Sequence, residues 1–406
     1  MKTQQVGTGT FATTFLYNKT NSADLLRRRL TRNVMLLRTT PSYLKGTKMF
    51  HQYVYGLLIL VLVFSFTACT DPLSNGASEP LSRSGRVLGI DVGEVEGINY
   101  DQAVDIAKAV GTESVSLSLN WDDLESAPGK YNDPNGALQT ANVYYPTKKL
   151  KIDLFIRPVD TDGLHVPADL QNVSFDDEVM AARFRNLLDF VFSKLPDVEL
   201  NFLAIGNEVD LAYPADSPFW EQYDVFYRTV KDYAKQQRPN LQIGASGTLY
   251  GLIGDHRDVL ERLNQHSDVV LVSYYPLNDD FTVKNPSVIP NEVNTLTGIY
   301  QGRTIYFSET GYPSSPLLNS SEELQSQFIK YTFKSWDAHA SQIRYISFAW
   351  LHDVSEETLT WFSQYYGSSD KRFLAYLATL GLRTRDGRDK PAFETLGTET
   401  RSRGWR

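Results

Sequence analysis

A single cysteine, Cys69, occurs in 406 residues, so no disulfide can form within the chain and a thiolate metal cluster is excluded. Histidine is nearly as scarce, with six residues, and none of them stands in HExxH or another zinc-ligand spacing, so no metal site is expected. No glycine-rich phosphate loop follows any apolar run, which leaves a nucleotide-binding fold without support and gives no reason to expect a cofactor. Apolar runs are short as well. Tyr55–Phe66 (YGLLILVLVFSF) falls well below the ~20 residues that a membrane-spanning helix needs. A net basic charge is confined to the N-terminal segment. Residues 1–48 hold nine Lys/Arg against one acid and 49–68 hold no charge, which leaves 69–406 at −16 within a total of −8. Such an acidic surface disfavours nucleic acid as a partner. With 42 % hydrophobic and 22 % charged residues the composition is that of a globular protein with a full-sized core.

Too short to span a bilayer, the run at 55–66 reads as a signal-peptide core. It ends in Phe66-Thr67-Ala68-Cys69, and small residues before a cysteine at this place resemble the lipobox of bacterial lipoproteins, with Phe66 standing where leucine is usual. The resemblance implies that Cys69 carries lipid and tethers the protein outside the cytoplasm, at a bacterial outer membrane or cell surface. Stable anchoring takes two acyl chains or more. The bland alternative is a buried free thiol. The expected organisation is then residues 1–48 as a non-native upstream extension or long n-region, with translation from Met35 or Met49, and 49–68 as signal peptide. Residues 69–86, Ser/Pro/Gly-rich after the cysteine, form a flexible tether, and 87–398 a single domain.

From Val87 onward short β-branched or aromatic runs alternate with amphipathic segments, the pattern of βα units around a parallel sheet. The expected strands are 87–92, 114–119, 150–157, 200–205, 241–246, 269–274, 304–308 and 344–350. Expected helices include 100–110, 177–195, 220–236, 257–265 and 322–340. Eight strands with helical returns predict a (β/α)8 TIM barrel, whose site lies where the strands end.

Those ends collect carboxylates, aromatics and single Asn and Arg residues. Glu208 directly follows the fourth strand and Glu309 the seventh, three apart in a ring of eight, so the two carboxylates face each other across the mouth. Two facing carboxyls, one protonated and one ionised, are what glycoside hydrolysis requires. The pattern Asn-Glu after strand four and Glu after strand seven resembles the clan A glycoside hydrolases over about residues 88–396. The stretches Ser308–Pro313 (SETGYP) and Ser273–Pro276 (SYYP) look most like β-1,3-glucanase and β-1,4-galactanase members. The resemblance implies a retaining O-glycoside hydrolase acting on an extracellular polysaccharide or oligosaccharide of β-glucan or β-galactan type. By position Glu208 would be the acid/base and Glu309 the nucleophile. Asn207 would bind the sugar 2-OH, Tyr275 would hold the nucleophile, and Trp350 would lie beneath the sugar. Arg157, Trp121 and Asp91 complete the expected substrate-binding set. The alternative is a surface lipoprotein on the same barrel that binds glycan without cutting it. An aldolase or metal hydrolase would need a strand-end lysine or a His/Asp cluster, and neither is found.

Overall fold

The computed structural model describes residues 80–93, 95 and 97–405. Cys69, the signal-peptide segment and Glu94 lie outside the described residues.

Eight parallel strands follow one another around a ring: β1 (Val87–Ile90), β2 (Ser114–Asn120), β3 (Lys151–Arg157), β4 (Leu200–Ile205), β5, β6 (Val270–Tyr274), β7 (Ile305–Thr310) and β8 (Ile343–Phe348). β5 is in two pieces, Gln242–Gly244 paired with β4 and Ser246–Thr248 paired with β6, so the ring closes through a break at Ala245. β8 pairs with β1 over Val87–Ile90, which completes the barrel. This is the predicted TIM barrel. Its strands read as near-continuous apolar runs because both faces are covered, the lumen on one side and the helices on the other.

The outer layer consists of α1 (Tyr100–Ala109), α2 (Ala137–Lys148), α3 (Glu178–Lys194), α4 (Phe219–Gln237), α5 (Arg257–Asn264), α6 (Ile289–Ile299) and α7 (Glu322–Ala338). A helical pair, α8 (Glu356–Tyr365) and α9 (Lys371–Ala378), is inserted after β8, before the last wall helix α10 (Pro391–Arg403). α1 starts where Asn99 and Gln102 cap each other's backbone N–H groups. α10 runs past the expected boundary at 398, and Trp405 beyond it is buried against Phe333 and Trp336.

The lumen is filled by Phe155, Phe202, Leu271 and Tyr345 around a buried Asp153. Asp153 accepts hydrogen bonds from Ser114 Oγ and Asn201 Nδ2, both at 2.7 Å, and from the Tyr345 hydroxyl. Gly89 is required beside it, since a Cβ there would collide with the Tyr345 hydroxyl.

The chain enters at the opposite end from the strand termini. Arg86, fully buried at the start of β1, donates from Nη1 to Asp337 at the end of α7 at 2.8 Å and lies 4.9 Å from the Trp336 ring centre. Arg83 N–H donates to the Arg403 carbonyl at the end of α10. Residues 80–86 of the predicted tether are therefore docked on the barrel floor.

Candidate active site

β4 ends in Gly206-Asn207-Glu208, which turns sharply into a short helix, Val209–Ala212. Glu208 takes a left-handed backbone, φ 44° and ψ 43°, a conformation that a non-glycine residue holds only when its surroundings fix it. The surroundings are visible. Asn207 N–H donates to the Val159 carbonyl, and the Asp210 carboxylate accepts from Thr248 N at 2.8 Å and Thr248 Oγ1 at 2.6 Å, tying the turn to β3 on one side and β5 on the other. The Glu208 carboxylate is held by two hydroxyls, Ser273 Oγ at 2.5 Å and Thr161 Oγ1 at 2.8 Å.

Glu309 lies within β7, and its Oε2 accepts from the Tyr275 hydroxyl at 3.3 Å. Burial pushes both glutamates above the usual carboxylate range, and for Glu309 the charge of Glu208 is the next cause. That influence places the two carboxyls in one site, where the charge of Glu208 disfavours a second charge on Glu309. Asp91, at the end of β1, accepts from Ser116 N–H at 3.0 Å and adds negative potential at Glu309. Arg157, at the end of β3, is 8 % exposed; it pairs with Asp160 at 2.7 Å and draws the Glu309 pKa back down.

Asp160 organises this side of the mouth. Besides Arg157 it accepts from Asn207 Nδ2 at 3.1 Å and from the Tyr365 hydroxyl at 2.7 Å. With its amide nitrogen so engaged, Asn207 leaves Oδ1 buried without a partner among the described residues, and Arg157 Nε and Nη2 are in the same state. Buried polar atoms normally find partners, so these mark the place of a polar ligand or ordered water.

The structure thus brings Glu208, Glu309, Asn207, Tyr275, Arg157 and Asp91 around one mouth. Trp350 stands at its edge, half-buried, with its ring stacked on Phe362 of α8 at 5.5 Å. Trp121 is elsewhere. The chain after β2 turns into a short helix, Trp121–Leu124, that sends the indole into the barrel wall. There it is fully buried between Phe184 of α3 and Phe226 of α4, and its Nε1 donates to Glu125 at 2.8 Å. Its place in the expected substrate-binding set is thereby corrected to the core. Thr161, Ser273, Asp160, Tyr365 and Tyr366 belong to the mouth and were not singled out. Asp160 was marked in the sequence only by its place just after the third strand, with no role assigned.

Asp160, Asp162 and His165 place ligand atoms within 4.8 Å of one another. The set does not suit a metal ion. Asp160 is neutralised by Arg157, and His165 lies between Asp162 at 2.8 Å and Asp122 at 3.6 Å. Burial opposes charge on the imidazole, but the two carboxylates outweigh it and raise its pKa to about 10, so His165 is itself a cation.

No protein-family model matches the chain, and no curated protein does. Among solved structures it is similar to an exo-β-1,4-mannosidase from an Opitutaceae bacterium, with TM-score 0.58 and 15 % identity over 80 % of this chain and 61 % of that one. The chain thus spans about three-fifths of that mannosidase. It is also similar to a GH5_18 protein from Bifidobacterium longum in complex with Manβ1-4GlcNAc, with TM-score 0.61 and 14 % identity over 78 % of each chain. A GH53 catalytic domain from Ignisphaera aggregans gives TM-score 0.56 and 17 % identity over 77 % of this chain and 95 % of that one. At these identities the likeness establishes the shared barrel, and function has to be argued from the site.

Proposed function

We propose that the protein is a retaining glycoside hydrolase acting on β-linked oligo- or polysaccharide. The observation that carries this reading is the placing of two carboxyls, Glu208 after β4 and Glu309 in β7, three strands apart at one mouth, where the charge of Glu208 raises the Glu309 pKa. The Glu309 carboxylate attacks the anomeric carbon while the glycosidic C–O bond breaks and Glu208 gives its proton to the leaving oxygen. Glu208 then takes a proton from water, whose oxygen attacks the same carbon and frees Glu309. Asn207 Oδ1 is an acceptor for the 2-OH of the sugar, and Tyr275 fixes Glu309. Fold neighbours that act on β-mannosides or belong to glycoside hydrolase families support the reading and add mannosides to the expected β-glucans and β-galactans.

Raised pKa values set the expected pH response. The competent form carries one proton on the pair. It is lost in acid when both carboxyls are protonated and in alkali when both are ionised, and burial with repulsion moves this window upward. Turnover of aryl β-glucosides, β-galactosides and β-mannosides should therefore give a bell-shaped kcat/KM profile centred near neutrality. A profile centred near pH 4 would contradict the burial of the pair, and no turnover on any of these or on β-1,3-, β-1,4- and β-1,6-linked polymers would favour the glycan-binding alternative.

The location proposed is extracytoplasmic, on a lipid carried by Cys69. Cys69→Ser should abolish labelling by radioactive fatty acid and leave the precursor unprocessed. Equal labelling of both proteins would rule the anchor out.

A further inference from the structure

α8 and α9 do not pack in the barrel wall. No residue of α8 is fully buried, although it carries Trp361, Phe362 and Tyr365 in ten residues. At one end the pair is fastened to the loop after β3, where the Tyr365 hydroxyl bonds Asp160 at 2.7 Å and its ring stacks on His165 at 6.1 Å. At the other end it is fastened to the loop after β6. Phe373 and Tyr376 pack on Phe281 at 5.3 and 6.1 Å, and Arg372 pairs with Asp280 at 2.7 Å. β3 and β6 lie three apart in the ring of eight and face each other, so the helical pair is a strap across the mouth.

We infer that this strap closes the site on the side of the glycosyl unit, leaving a pocket that admits only the non-reducing end of a chain, so that the protein removes terminal sugars and does not cut internally. The inference rests on the hydrolase reading above and goes beyond it to substrate shape. Two residues assigned to the glycosyl sugar and one that holds Glu309 are each backed by the strap. Asn207 is held through Asp160 by Tyr365, Trp350 is covered on one face by Phe362, and Tyr275 meets Tyr376 edge-on at 5.4 Å. A second sugar on that side would have to occupy the volume of these aromatics, and close packing leaves it no room. Tyr366, at the turn of the strap, lies within electrostatic reach of both glutamates. Both glutamates keep partial exposure. Each cycle would consume one water and break one glycosidic C–O bond, releasing a free monosaccharide and a chain one unit shorter.

The test uses the full chain on aryl β-glycosides and on β-1,4-linked oligosaccharides of mannose, glucose and galactose. Each oligosaccharide is offered free and with its non-reducing sugar capped as a 4,6-acetal. The expected result is monosaccharide as the sole early product from free oligosaccharides and no cleavage of capped ones. Mixed product lengths, or cleavage of capped chains, would overturn the pocket while leaving the hydrolase reading intact. Loss of turnover on every substrate would overturn both. The double variant Arg372→Ala, Phe373→Ala releases only the outer fastening. It should keep aryl glycoside turnover and gain cleavage of capped chains. A double variant that keeps aryl turnover but still refuses capped chains would overturn the role of the strap.

Discussion

Glu309→Ala is expected to lose turnover on every glycoside, on the order of 10⁵-fold, the scale on which removing a nucleophile acts in other hydrolases. Glu208→Ala should lose about 10²–10⁴-fold on substrates whose leaving group needs a proton, the range of general acid catalysis, or about 3–5 kcal/mol of transition-state stabilisation. On aryl glycosides with acidic leaving groups its first step survives, and the glycosyl-enzyme then waits for a base. Azide, which needs none, should restore release and give a product of retained configuration. In Glu309→Ala azide fills the space of the missing carboxylate and gives the inverted product. Rates in azide and the product's anomeric configuration by NMR check both, and exchanged outcomes would exchange the roles.

The hydrogen bonds around the two carboxyls bear on that exchange. Glu208 accepts two hydroxyl hydrogen bonds, at 2.5 and 2.8 Å, whereas Glu309 accepts one, at 3.3 Å. Hydrogen bonds to a carboxylate favour its charge, so without substrate the shared proton leans toward Glu309. Two features act the other way. Arg157 favours charge on Glu309. Ser273 and Thr161 carry hydroxyls, which rotate and accept a hydrogen bond from a protonated Glu208 as readily as they donate. A sugar seated against Glu309 puts the developing positive charge of its anomeric centre beside that carboxylate, which moves the proton to Glu208. Ser273→Ala and Thr161→Val would remove the opposing preference.

What was legible follows from the same physics. The eight strands could be read because they are short runs rich in β-branched, aromatic and other apolar residues set between helical patterns, and Glu208 and Glu309 could be read because they stand at the ends of such runs. The break in β5 at Ala245 changes no hydropathy and left no mark. Trp121 was misplaced because a strand-end position says nothing of the direction in which the next turn folds, and here the turn folds back into the wall. The strap stayed hidden for another reason. Helical periodicity betrays a helix with one dry face and one wet one, and α8 has none that is dry. Its signal was compositional, since Trp361, Phe362, Tyr365 and Tyr366 put four aromatics into six residues between two polar stretches.

The root of that strap carries the second large effect. Lys390, 1 % exposed, donates from Nζ to Asp353 Oδ1 at 2.7 Å, to the Gly381 carbonyl at 2.8 Å and to Ser314 Oγ at 3.1 Å. It therefore joins the loop after β7, the loop after β8 and the segment that leaves α9. Burial lowers the Lys390 pKa and raises that of Asp353 to about 6, while each partner favours the charge of the other. Lys390→Met keeps the apolar stem and strands Asp353 as a buried charge, a loss of about 3–5 kcal/mol at pH 8. The sign of the pH dependence is fixed. Asp353 has a folded-state pKa above its unfolded value, and removing Lys390 raises it further. Protonation therefore relieves the defect, and because the unfolded-state pKa is common to both proteins, the deficit should shrink as pH falls through the variant's raised Asp353 pKa toward about 6 and level off below it. Denaturant unfolding of wild type and variant at pH 5 and pH 8 reads the difference directly. The double variant Lys390→Met, Asp353→Asn should recover much of the stability at pH 8, because the unpaired charge and not the lost ion pair is the main cost. A single variant equally destabilised at both pH values, with no recovery in the double, would mean that Lys390 acts through its carbonyl and hydroxyl contacts alone.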